Sequence, residues 1–96
     1  MKKIYISGKI TGDPDYREKF KEEAARLYYL GYYPVNPAAM VPSDKSWAAA
    51  MKIVVSAMLL CDGVSLLPDW KKSKGAKIEV KLARKLGMDV RDSKKW

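Results

Sequence analysis

Short β-rich runs alternate with longer segments of helical spacing along the whole chain. The runs predict four strands, at residues 3–7, 32–35, 62–67 and 88–90. Apolar positions three and four residues apart predict three helices, at residues 16–30, 46–61 and 73–86. Residues 91–96 are interpreted as a charged tail. The pattern therefore predicts strands and helices that alternate from the first strand to the last.

Residues with strong end preferences flank these helices. Asp13 is expected to cap the first helix, and Ser43 or Asp44 the second, because their side chains can accept hydrogen bonds from free backbone N–H groups. Gly31 and Gly87 are expected to end the first and third helices, since glycine readily takes the left-handed conformation found there.

Alternating strands and helices joined by short links are typical of βαβ units with a parallel sheet. We predict one α/β domain over residues 1–96, a small flavodoxin-like or Rossmann-like three-layer sandwich with four parallel strands in the order 2-1-3-4. In such sheets ligands bind beyond the carboxyl ends of the strands, at the switch point between strands 1 and 3. The rule selects three loops, at residues 7–12, 36–39 and 68–75.

The second helix is apolar on nearly all sides between residues 46 and 61. A helix without a clear polar stripe is usually buried on more than one face. In a chain of 96 residues the second face is more readily covered by another subunit than by a second core. We therefore expect a homo-oligomer formed through this helix.

Composition narrows the chemistry. Histidine is absent and Cys61 is the single cysteine, so no metal site is predicted, and no cofactor is expected. The first residues do not form a signal peptide and no apolar run is long enough to span a membrane, so we expect a cytoplasmic protein. Nineteen lysine and arginine residues against eleven acids give a net charge of +8, which favours an anionic partner.

Two of the selected segments carry candidate chemistry. The first loop offers backbone N–H groups, hydroxyls and a lysine that could hold an anion, although a tight turn is an equal interpretation; its candidates are Ser7, Gly8, Lys9, Thr11 and Gly12. Glu79 is the only acid in a lysine-rich helix whose N-terminus is at Ser73. We expect the surrounding cations to keep it ionised and able to act as a nucleophile; the alternative is a solvated surface glutamate.

Further candidates surround strands 2 and 3. Asp62 opens strand 3, and the alternative for it is a simple turn aspartate. Asp69 and Trp70 follow the same strand at its carboxyl end. Trp70 could stack on a base, although an aromatic that covers the core is at least as consistent. Asn36 follows strand 2 at the same edge and is grouped with them as a base-side candidate.

A set of motifs spread over residues 2–90 carries a resemblance to known proteins. The motifs are Tyr5-Ile-Ser-Gly8, Ile10-Thr-Gly12, Tyr16-Arg17, Gly31, Asn36-Pro-Ala38, Trp47, Met51, Cys61-Asp62, Leu67-Pro68, Trp70, Ser73, Gly75-Ala76 and Glu79. Together they resemble a small family of uncharacterised phage and bacterial domains. That family looks like a compact member of the nucleoside 2-deoxyribosyltransferase-like superfamily.

The superfamily resemblance implies cleavage of an N-glycosidic bond. It implies that Glu79 attacks the anomeric carbon, that Tyr5 positions Glu79, and that Asp62 contacts sugar or base. Ser73 stands where related nucleotide N-glycosidases hold a 5′-phosphate, which favours a nucleoside 5′-monophosphate as substrate. Arg17 and Gly75 join the expected phosphate-binding set, and Asp69 is a candidate acid for the leaving base.

Three functions therefore stay open. The first is a nucleotide N-glycosidase or deoxyribosyltransferase, and the second is a non-catalytic nucleotide-binding module that keeps the same pocket. The third is a nucleic-acid-binding protein, for which the third helix and the residues before it supply a basic face; this face comprises Lys71, Lys72, Lys74, Lys77, Lys81 and Lys85. The alternative role of such a face is solubility alone.

Overall fold

Four strands and three helices alternate in the computed structural model, which describes residues 1–96. The strands are β1 (Lys3–Ser7), β2 (Tyr33–Val35), β3 (Gly63–Leu66) and β4 (Asp89–Asp92). The helices are α1 (Tyr16–Tyr29), α2 (Trp47–Leu59) and α3 (Lys74–Lys85). Single 3₁₀ turns occupy Pro37–Ala39, Trp70–Lys72 and Ser93–Lys95. The predicted order of elements is confirmed, and no predicted end differs from the observed one by more than two residues.

All strand pairs are parallel, and the order across the sheet is β2-β1-β3-β4, as predicted. Tyr5 of β1 lies opposite Val35 of β2 on one side and Val64 of β3 on the other. Parallel strands need crossover connections, which the three helices provide. The switch point lies between β1 and β3, where the chain reverses the direction in which it adds strands.

Two hydrophobic clusters lie on opposite faces of the sheet. Ile4 and Ile6 of β1 pack with Phe20 and Leu27 of α1. Tyr5 packs on the other face, in a cluster that β3, α2 and α3 complete with Val54, Met58, Val64, Leu66, Val80 and Ala83. Because successive side chains of a strand point to opposite faces, Ile4 and Ile6 of β1 face α1, whereas Tyr5 and Ser7 face the side of α2 and α3.

Two of the expected caps are wrong. α1 begins at Tyr16, because the Asp13 carboxylate accepts a hydrogen bond from the backbone N–H of Asp15 at 2.9 Å and so closes a turn ahead of the helix. Ser46, rather than Ser43 or Asp44, caps α2 by accepting from Ala49 N–H at 3.2 Å.

The expected helix ends at Gly31 and Gly87 are confirmed. Their φ angles are 90° and 71°, in the left-handed region. Both ends carry the paired backbone hydrogen bonds that close a helix after such a glycine, from Gly31 to Tyr28 and from Gly87 to Arg84 among them.

The C-terminal residues are not a free tail. β4 runs to Asp92, and Trp96 folds back onto the sheet, where its indole Nε1 donates to the carbonyl of Val64 at 3.1 Å. The ring meets Tyr32 edge to face at 5.5 Å and covers Gly63, where a Cβ atom would lie 2.6 Å from the indole. The prediction missed this because one aromatic residue after five charged or polar ones gives no periodic signal.

α2 leaves much of its apolar surface open in the single chain. Of its thirteen residues only Val54 and Met58 are buried. Trp47 is 41% exposed, and Leu59 and Leu60 at the other end are 46% and 79% exposed. None of the helices is long and apolar enough to cross a membrane.

Candidate active site

Glu79 lies against the face of β1 that bears Tyr5 and Ser7. Its side chain projects from the middle of α3 and is only 5% exposed. The Tyr5 hydroxyl donates to Glu79 Oε2 at 2.6 Å, and the Ser7 hydroxyl donates to Oε1 at 2.8 Å. Each carboxylate oxygen keeps a second acceptor position beyond its hydroxyl partner. The alternative of a solvated helix glutamate is therefore wrong.

Burial raises the pKa of Glu79 from 4.5 to about 6, and the hydrogen bonds from Tyr5 and Ser7 oppose that rise. This differs from the expectation that neighbouring lysines keep the group ionised, because the lysines of α3 lie on its exposed face. The carboxylate is still mostly ionised at pH 7, since that pH lies above its pKa. Burial and then the charge of Glu79 raise the pKa of Tyr5, so the tyrosine remains a hydrogen-bond donor.

A cleft of about 850 Å³ opens above this carboxylate and is called the Glu79 cleft below. Its volume lies within the range of small-molecule sites. Seven of the expected site residues line it, namely Tyr5, Gly8, Lys9, Thr11, Ser73, Gly75 and Glu79. The cleft lies at the carboxyl edge of the sheet, where the fold rule places a ligand, between the segments after β1 and β2 and the start of α3; no residue of β3 lines it.

Ser73 and Gly75 shape the wall of the cleft at the start of α3. The Ser73 hydroxyl caps α3 by accepting from Ala76 N–H at 3.1 Å, which leaves its own proton free to donate. A Cβ atom on Gly75 would lie 3.0 Å from Met51 Sδ. A side chain at position 75 would therefore push against α2 at the point where the two helices meet.

The lining of the Glu79 cleft is cationic. Lys9, Lys45, Lys72 and Lys74 line it, and Glu79 is its only carboxylate. The Lys74 ammonium also lies 4.3 Å from the centre of the Trp47 ring, at the start of α2. Such a lining attracts anionic ligands, because like-signed charges in a concave site add their fields.

Asp62 lies far from this cleft. It accepts a hydrogen bond from the backbone N–H of Lys3 at 2.8 Å, and Lys3 begins β1. Because β1 and β3 are parallel, a residue ahead of β3 belongs to the amino edge of the sheet, opposite the Glu79 cleft. Asp62 is therefore not placed to contact a sugar or base above Glu79, contrary to what the resemblance implies.

Asp69 and Trp70 do not line the Glu79 cleft either. The Asp69 carboxylate accepts from the Lys19 ammonium at 2.5 Å and from Lys9 N–H at 3.1 Å, so it fastens two loops together. Trp70 is half-buried against the core and lines a separate groove. Neither side chain is placed to meet a ligand above Glu79.

Three remaining candidates have local roles in the structure. The Asn36 side chain accepts from Ala38 N–H at 2.9 Å and caps a 3₁₀ turn. Gly12 turns the first loop with φ 83°. The Arg17 guanidinium lies 5.2 Å from the centre of the Tyr16 ring. Tyr16 lines the cleft and Arg17 does not.

Residues of α2 and of the loop before it also line the cleft, and none of them was predicted as a site residue from the sequence. They include Val41, Pro42, Ser43, Lys45, Trp47, Ala50, Met51 and Val54. A topological signal was present, since α2 runs back across the sheet from the carboxyl end of β2 and must begin at the edge where ligands bind. The apolar character of α2 hid that signal, because it suggested packing instead.

Residues 2–92 match a protein family described as a domain of unknown function, DUF4406. The chain belongs to the DUF4406 family. The match runs from β1 to the end of β4, so it includes Tyr5, Ser73 and Glu79. None of the curated proteins matches the chain.

The DUF4406 domain therefore presents one ionised, buried carboxylate below a cationic cleft. A carboxylate fixed by two hydroxyl donors and desolvated by its surroundings can attack an electrophilic carbon or stabilise a positive charge next to it. The hydroxyls of Thr11, Ser43 and Ser73 and the lysines around them provide donors for a phosphate group.

Proposed function

We propose that this domain is a nucleoside 5′-monophosphate N-glycosidase or deoxyribosyltransferase that uses Glu79 as its nucleophile. The observation that carries the proposal is the position of the Glu79 carboxylate, fixed by Tyr5 and Ser7 at the base of the cationic cleft. Cleavage of an N-glycosidic bond passes through a sugar cation, and a carboxylate is the group that stabilises or captures it.

The proposed reaction has two steps, and both take place at the anomeric carbon of the sugar. A Glu79 oxygen forms a bond to the anomeric carbon, and the electron pair of the broken C–N bond leaves with the base, which takes a proton from solvent water. Water then attacks the anomeric carbon, the bond from that carbon to the Glu79 oxygen breaks, and the proton of the attacking water neutralises the hydroxide left by the first step. The products are the free carboxylate and a sugar 5-phosphate. In the transferase form a second base attacks in place of water.

The cleft lining supports a phosphorylated substrate. Lys72, Lys74 and Ser73 surround the N-terminus of α3, where free backbone N–H groups and the helix dipole also favour an anion. Lys9 faces the same space from the loop after β1. A free nucleoside would leave these four cationic and hydroxyl groups without an anionic partner.

The resemblance to the nucleoside 2-deoxyribosyltransferase-like superfamily supports this proposal through three residues. Tyr5 and Glu79 have the contact that the resemblance implies, and Ser73 lines the same cleft. Asp62 does not take part, so the role that the resemblance gave it is not carried into the proposal.

A non-catalytic nucleotide-binding module is the second candidate. The absence of a second carboxylate in the cleft favours it, since Glu79 is the only one that lines the cleft. Asp69, the expected acid for the leaving base, forms an ion pair with Lys19 instead. A binding module would need the cationic lining but no acid near the base.

A base-release screen over the common ribo- and deoxyribonucleoside 5′-monophosphates tests the proposal. We expect release of free base by the wild type and its loss in Glu79→Gln. Glu23→Gln is the matched control, because Glu23 is a buried carboxylate of α1 that does not line the cleft. It accepts a hydrogen bond of 2.6 Å from the Ser65 hydroxyl. Release by the control but not by Glu79→Gln supports catalysis at Glu79.

Failure of release from every nucleotide would overturn the enzyme and leave the binding module. Calorimetric titration then decides that case. Binding of a nucleotide that weakens in Ser73→Ala supports the module, and absence of binding to any nucleotide contradicts both candidates.

We also propose that a second copy of the chain covers α2. Exposed apolar residues lie at both ends of α2, Trp47 at its start and Leu59 and Leu60 at its end, and the only charged residue of the helix is Lys52. Trp47 also lines the Glu79 cleft, so a second copy on α2 would lie beside the substrate. Sedimentation should show a species larger than 10.9 kDa that Leu59→Lys with Leu60→Lys converts to monomer; a wild-type monomer contradicts this.

A further inference from the structure

The net charge of the chain is concentrated in one segment. Residues 70–88 contain seven lysine and arginine residues and one acid, so this segment carries +6 of the total +8. The other 77 residues carry twelve cations and ten acids, which nearly cancel. Charge that served solubility alone would have no reason to gather on one helix and the turn before it.

These cations are not neutralised within the chain. The ion pairs of the structure join Lys19, Arg26 and Arg91 to acids elsewhere, and none involves residues 70–88. The only acid of the segment, Glu79, points inward to Tyr5 and Ser7. The charged groups on the outer side of α3 are therefore all cations, at Lys74, Lys77, Lys81, Arg84 and Lys85, with the exposed Ile78 among them.

A groove of about 540 Å³ continues this surface beside α3. Lys71, Arg84 and Lys94 line it together with Trp70, Ser93 and one acid, Asp92. The Lys71 ammonium and the Arg84 guanidinium lie 5.7 Å and 5.6 Å from the centre of the Trp70 ring. Contact with the ring holds both cations at the groove, which lowers the entropy they lose when an anion binds.

We propose that α3 and this groove, together called the cationic surface, bind the phosphate backbone of duplex nucleic acid without reading its sequence. Cations in a row along an exposed helix suit a regular line of phosphates. The twelve residues of α3 extend over about 18 Å. That length corresponds to about five phosphates of one strand, at about 3.4 Å for each.

An acidic protein fits this surface less well. Protein interfaces are usually depleted in lysine and anchored by aromatic side chains at their centre. On the cationic surface the charged groups are mostly lysines, and the one aromatic ring, Trp70, is half-buried and flanked by cations. Residues 70–95 contain no asparagine or glutamine, the side chains that pair with adenine in the major groove.

The test is the salt dependence of binding to a fluorescent duplex of about 20 base pairs. For about five neutralised phosphates, log K should fall with log salt at a slope of about −4.5. The triple variant Lys77→Glu, Lys81→Glu, Lys94→Glu should bind at least about tenfold more weakly at low salt and with a shallower slope. The milder glutamine set at the same three positions should change in the same direction.

The control variant carries the same charge change elsewhere. Lys2, Lys3 and Lys21 are exposed, lie outside the cationic surface and outside α2, and form no ion pair. Their replacement by glutamate gives the same net charge and should leave most of the affinity intact. Glu79→Gln should also bind as the wild type does, since the inference does not depend on the proposed catalysis.

Three results would overturn the inference. The first is no binding by the wild type at low salt, and the second is equal loss in the control and the surface variant. The third is equal competition by polyglutamate and by unlabelled duplex, which would assign the surface to an acidic polypeptide instead. Circular dichroism of each variant shows that it is folded before binding is measured.

Discussion

Replacement of Glu79 by glutamine should stabilise the domain at neutral pH. The wild-type carboxylate is 5% exposed, and burial raises its pKa from 4.5 to about 6. A folded-state pKa above the unfolded value means that the folded protein holds the proton more tightly. The stabilisation that comes from the protonated form is therefore fully present below about pH 4.5 and is lost as the pH rises through about 6.

The magnitude follows from the difference between the two pKa values. Each pKa unit corresponds to about 1.4 kcal/mol, so the rise from 4.5 to about 6 corresponds to about 2 kcal/mol. Glutamine is neutral at every pH and nearly the same shape, so Glu79→Gln should resemble the protonated wild type. At pH 7.5 the variant should be more stable than the wild type by about 2 kcal/mol, and at pH 4 the two should be close.

Urea unfolding at half-unit steps from pH 4 to pH 8 measures this. The informative quantity is the difference in unfolding free energy between the wild type and Glu79→Gln, because contributions of all other groups cancel in it. A difference that stays constant with pH would contradict a raised pKa. A difference of opposite sign would mean that Tyr5 and Ser7 stabilise the ionised group more than burial destabilises it.

Three further predictions concern the hydrogen bond to Glu79, the cap of α3 and the packing of the C-terminus. Tyr5→Phe removes a hydrogen bond that lowers the pKa of Glu79, so a carbon-13 titration of the carboxyl should give a midpoint above the wild-type value, and an unchanged midpoint contradicts the contact. Ser73→Ala should cost about 1 kcal/mol in urea unfolding through the lost cap of α3, whereas Ser73→Thr should retain most of it. Trp96→Ala should cost about 2 kcal/mol, less than a fully buried tryptophan, while the exposed Leu86→Ala should cost little; equal effects would mean that Trp96 does not hold the C-terminus.

The fold follows from the sequence because its signals are local and agree with one another. The β-rich run at β1, the helical spacing of α1 and the glycines at positions 31 and 87 each specify one element or one end. Once these alternate, the handedness of crossovers leaves few arrangements for the sheet. The start of α1 was less predictable, because the Asp13 carboxylate accepts from Lys19 and from the N–H of Asp15 and caps no N–H of the helix.

The candidate site was only half predictable for a different reason. Tyr5, Ser73 and Glu79 sit on elements whose position the topology determines, so their convergence could be expected. Asp62 was assigned to the site by resemblance, although a residue that opens a parallel strand lies at the edge away from the ligand. That rule alone could have excluded it.

The position of Glu79 is hard to explain by stability. An apolar residue at position 79 would leave the buried Tyr5 and Ser7 hydroxyls without an acceptor, but a neutral glutamine could accept from them. The burial of an ionised carboxylate instead works against folding by about 2 kcal/mol at neutral pH in a domain of 96 residues. Glu23 has a structural partner at the same depth, because Arg26 pairs with it and also donates to the carbonyl of Ser93. Glu79 has no cation among its hydrogen-bond partners and instead lines an open cleft. A buried charge without a counter-ion, placed where a ligand can reach it, is more consistent with a functional than with a structural role.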